Sequence, residues 1–328
     1  MKNLLTKANF LTYPNLWRGC SGMQVLYMNN CWFTNVGEAF IDIGGMELTR
    51  QIFTNANICC FSDMSWYYSV NVAHEDKCND FDEQIRKDFF NAADFLAADY
   101  VVVPGMCATE EAINKWPMGK MIKSFSDNGS KIIFLGMGGF YYDKQEINAF
   151  SKYLDSLNLE LIVTRDGLAY ESYKNDYPCS RGIDCAFWVE DVFKPKGFRK
   201  KEYDVVTFNR STEPEMFQEW CRPIVRPWHM QFSYKAANIK RGVLISDTPY
   251  DYLSVYANAN RTYTDLVHAS IVSLMYGVPV KYWYIDKRSA AFEAIENLTV
   301  QDDWMTVDNG LLNIQKENIK QDIIKRIR

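Results

Sequence analysis

The sequence predicts an α/β protein built from two doubly wound, Rossmann-like domains. Short β-branched runs alternate with stretches of helical spacing along most of the 328 residues. The alternation breaks once, at Lys194-Pro195-Lys196-Gly197, and then resumes with a second strand–helix series. Such a rhythm is that of parallel sheets covered by helices on both faces.

In the first domain, residues 1–195, Gln24 to Met28 reads as a strand and Asn35-Val36-Gly37-Glu38-Ala39 opens a helix. Asp82 to Ala98 has helical spacing, and Tyr100 to Val103 is a β-branched strand ending at Pro104-Gly105. Glu111 to Ser126 reads as a helix and Lys131 to Leu135 as a strand, with Gly136-Met137-Gly138-Gly139 as a flexible turn at its end. A helix over Lys144 to Leu157, a strand over Leu159 to Thr164 and a helix over Asp166 to Asn175 complete the series. The second domain, residues 196–328, has strands at Tyr203 to Phe208, Gly242 to Ser246, Arg261 to Tyr263 and Val278 to Tyr284. Helices follow from Tyr250, Asp265 and Ser289. The last segment, Gly310 to Arg328, carries Leu311, Leu312, Ile314, Ile319, Ile323, Ile324 and Ile327 largely on one stripe, and packing back on the first domain would bury that stripe.

Composition removes several function classes. Apolar residues are 48% and charged residues 23%, enough for a packed core. The net charge is −5, and the densest basic run is Arg199-Lys200-Lys201, so nucleic acid is not an expected partner. Nine cysteines form no Cys-x-x-Cys pair, which fits reduced thiols and a cytoplasmic protein. Met1 to Arg18 lacks the apolar run of a signal peptide, and no stretch is apolar enough to span a membrane. His74, beside Glu75 and near Cys78, lacks further ligands, so no metal site is expected. His229, within Pro227-Trp228-His229, is expected to pack with aromatics.

The chemistry is expected at strand ends. His268 falls in the first turn of a helix that follows a strand, where free N–H groups and the dipole favour an anion. Lys287 follows the next strand and opens on the same sheet edge. Arg165 follows Thr164 at the C-terminal end of a buried strand, where its guanidinium either grips an anion or pairs with Asp166 or Glu171. Asp184 reads either as a base for an acceptor hydroxyl or as a strand-end cap, and Glu38 as a ligand contact or a helix cap.

Taken in order, these residues resemble the polysaccharide pyruvyl transferase family. The matching segments are Asn35-Val36-Gly37-Glu38-Ala39, Val163-Thr164-Arg165-Asp166, Gly182-Ile183-Asp184-Cys185-Ala186-Phe187, Asp265 to Val280, and Tyr284-Ile285-Asp286-Lys287. The chain departs from the family pattern at Leu266, where Arg is usual, at Pro104-Gly105-Met106-Cys107, and at Ala169, where Ser is usual. The resemblance implies the two-domain glycosyltransferase-B (GT-B) architecture and transfer of pyruvate from phosphoenolpyruvate to two hydroxyls of a sugar or lipid-linked oligosaccharide, as a cyclic ketal. No metal or cofactor is implied. His268 would be the acid and Arg165 and Lys287 the anion partners, with Asn35, Gly37, Glu38, Asp184, Gly136 and Gly138 as substrate-binding positions. Two other readings stay open: a nucleotide-sugar glycosyltransferase with Glu293 as its ribose carboxylate, and a non-catalytic glycan-binding relative. A homo-oligomer is compatible with either.

Overall fold

The computed structural model describes residues 22–29, 35–62, 91–114, 117–198, 202–218, 220–229, 241–283 and 287–327. The expectations for Met1 to Arg18, His74 with Glu75 and Cys78, residues 82–90, Arg199-Lys200-Lys201 and Tyr284-Ile285-Asp286 lie outside these residues.

The first half holds β1 (Gln24–Asn29), β2 (Asn57–Ser62), β3 (Tyr100–Pro104), β4 (Lys131–Met137), β5 (Leu159–Thr164) and β6 (Cys179–Arg181). They pair parallel in the order β2-β1-β3-β4-β5-β6. All five residues of β3 are buried, as both faces of a covered parallel sheet require. The second half holds β7 (Asp204–Thr207), β8 (Ile224–Pro227), β9 (Val243–Leu244), β10 (Thr262–Thr264), β11 (Val280–Tyr282), β12 (Leu298–Gln301) and β13 (Trp304–Val307). Their order is β12-β13-β11-β10-β7-β8-β9, parallel from β9 to β11 and closed by the antiparallel β12–β13 hairpin. The strand order reverses between β1 and β3 in one sheet and between β7 and β10 in the other. Crevices for ligands open at such points, beyond the strand C-terminal ends.

One hydrophobic core joins both sheets. The helix Val36–Ile52 lies within it, touching Cys185–Trp188 of the first half and the helices Pro249–Asn258 and Val267–Met275 of the second. Two glycines allow the approach: a Cβ on Gly44 would stand 2.0 Å from the Cys185 carbonyl oxygen, and one on Gly45 would stand 2.4 Å from the Tyr27 hydroxyl. The helix Asn309–Ile327 returns over the first half, burying Ile319 and Ile323. The Ser180 hydroxyl bonds Asp322 there, and Lys316 Nζ meets Asp191 at 2.6 Å.

His229 is a second link between the halves. Its carbonyl accepts from the Val36 N–H at 3.1 Å, its own N–H donates to Asn209 Oδ1 at 2.8 Å, and its Nε2 lies 2.7 Å from the Tyr256 hydroxyl. Phe40, Tyr252 and Tyr256 meet the ring edge-on. Burial, with a smaller contribution from His268, lowers its pKa to about 3.

Several expected boundaries move. Within residues 91–98 there is only a 3-10 turn, Ala92–Asp94, in place of a helix reaching Ala98. The Glu111 to Ser126 segment is two helices, Glu110–Asn114 and Pro117–Asp127, because proline cannot continue a helix. The glycines after Leu135 are not a flexible turn. β4 runs on to Met137 through a register shift, with Gly136 at φ +68°, and Gly138 bridges to Cys107. Asp265 does not cap its helix, which starts after Leu266 without a side-chain cap. The six described cysteines, Cys59, Cys60, Cys107, Cys179, Cys185 and Cys221, are free thiols. Among the described residues no helix is long and apolar enough to cross a membrane.

Gly44→Ala gains about 1 kcal/mol of helix propensity but drives a methyl into backbone that cannot yield. It should lower stability by about 1–3 kcal/mol, read as a lower urea midpoint; an unchanged midpoint contradicts the close packing. The His229 prediction concerns acid. The unfolded ring takes a proton below its ordinary 6.5, whereas the folded one resists until about 3. The unfolded state thus binds more protons in that window, and stability is full above it and lost as pH falls through it. The slope should approach about 1.4 kcal/mol per pH unit. Urea titrations should give His229→Gln a shallower acid loss than wild type, and equal slopes would reject this role.

Candidate functional site

A cavity of about 780 Å³ opens between the two sheets, at the C-terminal strand ends where both strand orders reverse. Asn35 and Glu38 reach it from the turn after β1, Met106 and Cys107 from the segment after β3, and Arg165 from the end of β5. The second half supplies Arg210 after β7, Leu266 and His268 after β10, and Arg288. Such a volume falls within the ~300–1,000 Å³ common to ligand pockets.

The centre of the site is a buried charge cluster. Asp184 caps the turn Cys185–Trp188, its Oδ1 accepting the Ala186 N–H at 3.0 Å. Its Oδ2 faces Arg165 Nη1 at 3.8 Å and His268 Nε2 at 3.6 Å. Neither that oxygen nor His268 Nε2 has a hydrogen-bond partner. Arg165, Asp184 and His268 are 5%, 1% and 6% exposed, so little water screens them. Burial pushes the Asp184 carboxyl up, but the His268 ring, the Arg165 guanidinium and the Ala186 N–H outweigh it and hold the group below its usual range. Burial also opposes the Arg165 charge, yet Cys107, Asp184, Tyr142 and Asp166 together raise its pKa above the ordinary value. Arg165 Nη2 is 3.7 Å from the Cys107 sulfur.

Small residues and helix caps set these positions. A Cβ on Gly37 would stand 2.4 Å from His268 Nδ1, and one on Gly138 would stand 2.5 Å from Arg165 Nε. Asn35 caps the Val36–Ile52 helix through the Gly37 N–H at 3.0 Å. Asp166 caps the helix Gly167–Tyr173 through the Ala169 N–H and accepts the Tyr142 hydroxyl at 2.6 Å. Burial, then Asp166, raises the Tyr142 pKa, so its phenol stays a donor. The carboxylate of Asp265 ties down the loop after β7, accepting the N–H groups of Asn209, Arg210 and Ser211.

Arg165, Asp184 and His268 thus converge, with Asn35 and Glu38 on the same cavity. Other expected contacts differ. Arg165 pairs with Asp184, while Glu171 pairs with Lys174 and Arg181. Gly136 sits against the Cys185 sulfur, and Gly37 and Gly138 make room for His268 and Arg165; all three serve protein side chains rather than the cavity wall. Asp184 stands behind Arg165 and His268 and is itself off the wall. Lys287 Nζ donates to the Tyr141 carbonyl at 2.8 Å, and the cation lining the cavity is its neighbour Arg288. Glu293 is exposed at the end of the helix Ala290–Glu293 and is not on the cavity. His229, beyond its aromatic packing, also lines the cavity. Among the described residues no group of three or more metal-ligating side chains occurs. Sequence reasoning missed Arg210, Arg288, Cys107 and Tyr142. Arg210, Arg288 and Cys107 did carry a usable signal, since each follows the C-terminal end of a strand.

Solved structures of other proteins are similar to this chain to different degrees. The MnaA–UDP co-structure from S. aureus superposes with a TM-score of 0.53 at 12% identity, covering 93% of this chain and 90% of that one. The UDP-GlcNAc 2-epimerase of Methanocaldococcus jannaschii gives 0.48 at 11% identity, over 92% and 99% of the two chains. The glycosyltransferase SnogD of Streptomyces nogalater gives 0.41 at 12%, over 93% and 92%. Likeness at these identities concerns fold, and the arrangement of two doubly wound domains is GT-B-like. A comparison with curated proteins finds no match. A model of the polysaccharide pyruvyl transferase family matches residues 35–280, which include Asn35, Arg165, Asp184 and His268. The chain therefore belongs to the polysaccharide pyruvyl transferase family.

Proposed function

We propose that this protein transfers pyruvate from phosphoenolpyruvate to two hydroxyls of a sugar in a surface-polysaccharide precursor, forming a cyclic ketal. Family membership supports the transferase class. The observation that carries the donor assignment is the buried Arg165–Asp184–His268 cluster at the mouth of two opposed sheets. Arg210 and Arg288 lie on the same cavity, so carboxylate and phosphate both find cations.

In this reading His268 delivers a proton to carbon 3 of the enolpyruvyl group. The double-bond electrons form the new C–H bond, leaving carbon 2 electron-poor. The first sugar hydroxyl adds to carbon 2 and gives up its proton. The bond from carbon 2 to the phosphate oxygen then breaks, releasing inorganic phosphate, and the second hydroxyl adds and loses its proton to close the ring. Asp184 stabilises the imidazolium before transfer and orients the ring. Arg165 holds an anionic end of the donor.

The decisive experiment measures phosphate release from phosphoenolpyruvate over a panel of sugar acceptors, with mass spectrometry of the products. Phosphate and ketal should form together; phosphate without ketal, or neither with any acceptor, counts against the reading. Thermal shifts with phosphoenolpyruvate against nucleotide sugars separate this donor from the glycosyltransferase alternative.

Two variants divide the labour. His268→Gln should lower turnover by about 10²–10⁴ with modest change in phosphoenolpyruvate affinity. Arg165→Ala should weaken donor binding by about 1.5–3 kcal/mol. It also strands the buried Asp184 carboxylate, so Arg165→Lys, which keeps a charge but loses the fork, is the cleaner comparison. Near-normal turnover in His268→Gln would assign the proton elsewhere.

A further inference from the structure

We infer that the Phe140–Tyr141 turn is the platform on which the acceptor sugar ring stacks, and that Lys287 holds this platform against the second half. Both aromatics line the cavity on the first-half wall. Phe140 is 36% and Tyr141 61% exposed, although large aromatics ordinarily bury themselves. The two rings meet edge to face with centroids 4.7 Å apart, presenting an angled apolar surface. The C–H faces of a pyranose are apolar and its rim is all hydroxyl, so an aromatic face beside hydrogen-bonding groups matches it.

The turn is built to hold those rings still. Glu146 is 7% exposed, and its carboxylate accepts three successive backbone N–H groups, from Phe140 at 3.0 Å, Tyr141 at 2.9 Å and Tyr142 at 3.0 Å. Tyr142 takes the left-handed conformation, φ 55°, and its hydroxyl is anchored on Asp166. The backbone is thus fixed on both sides while the rings of Phe140 and Tyr141 project. A surface ordered in advance loses little entropy when a ligand arrives. Lys287 reaches across from the second half to the Tyr141 carbonyl, tying the platform to the wall that carries His268.

Glu38, Glu110, Glu111 and Asp143 line the same cavity and offer acceptors to neutral hydroxyls. Arg165, Arg210, Arg288 and His268 line it as well. The donor's anionic groups call for those cations, and the polyol for the carboxylate acceptors and the aromatic pair.

The inference rests on the proposed function only in taking the second substrate to be a sugar, and its test needs no turnover. Saturation-transfer NMR with the methyl glycosides of glucose, galactose and mannose measures binding to the full-length wild type and to Tyr141→Ala and Phe140→Ala. Both variants change projecting side chains and leave the backbone held by Glu146. Each should weaken glycoside binding by about 2- to 10-fold, with phosphoenolpyruvate affinity unchanged. Where turnover is measurable, Lys287→Met should raise the acceptor KM while leaving the phosphoenolpyruvate KM alone, and Lys287→Arg should restore it. Unchanged glycoside binding in both alanine variants overturns the inference. So does an equal loss of phosphoenolpyruvate affinity, or a wild type that binds none of the glycosides. Glycoside binding that depends on Tyr141 in a protein inert toward phosphoenolpyruvate upholds the platform and rejects the donor.

Discussion

The site depends on the placement of one buried helix. Val36–Ile52 sits inside the core shared by both sheets, and its glycines let it approach to distances no side chain permits. Gly44 fixes it against the Cys185 carbonyl, the residue next to Asp184, and Gly37 fixes its first turn against the His268 ring. Asn35 and Glu38 at its start, Asp184 behind and His268 across thus take their separations from a single rigid element. Interiors packed at this density transmit a shift rather than absorb it. The Val36 N–H to His229 carbonyl bond extends the same constraint into the second half.

That rigidity matters because the charge cluster is incomplete as it stands. Asp184 Oδ2 lies between a guanidinium and an imidazole, yet at 3.6–3.8 Å it makes a proper hydrogen bond to neither. A buried ion cluster of this kind gains little for stability, since desolvation opposes the attraction. It does create a preorganised field at low dielectric, the ordinary source of large electrostatic effects on a reacting group. The glycines behind Arg165 and His268 are part of that arrangement, since a methyl at Gly138 or Gly37 would displace the charged groups themselves.

Much of the architecture was legible from residues alone. The β-branched cores of β3, β4 and β5 marked the parallel-sheet plan, and strand-end positions singled out Arg165 and His268, one on each sheet. Weak local signals hid the rest. β2 has a mixed sequence, Asn57-Ile58-Cys59-Cys60-Phe61-Ser62, and β6 has three residues. The β12–β13 hairpin did carry a signal: Asp302 and Asp303, both left-handed, make its two-residue turn. The site's inner contacts were out of reach in principle. That Gly138 serves Arg165 and that Asp265 serves the loop after β7 are long-range facts, set by tertiary packing rather than by neighbours in sequence.

The return of the Asn309–Ile327 helix over β5 and β6 bears on how the chain matures on the ribosome. The first sheet is translated before the second, but the element that covers this flank, through Ile319, Ile323 and the Asp322–Ser180 bond, is translated after both. Vectorial synthesis, which lets an N-terminal domain finish before its successor emerges, leaves this one waiting for a helix that follows the second sheet. Until then the flank on which Ile319 and Ile323 pack stays open, exposed apolar surface of the kind chaperones shield.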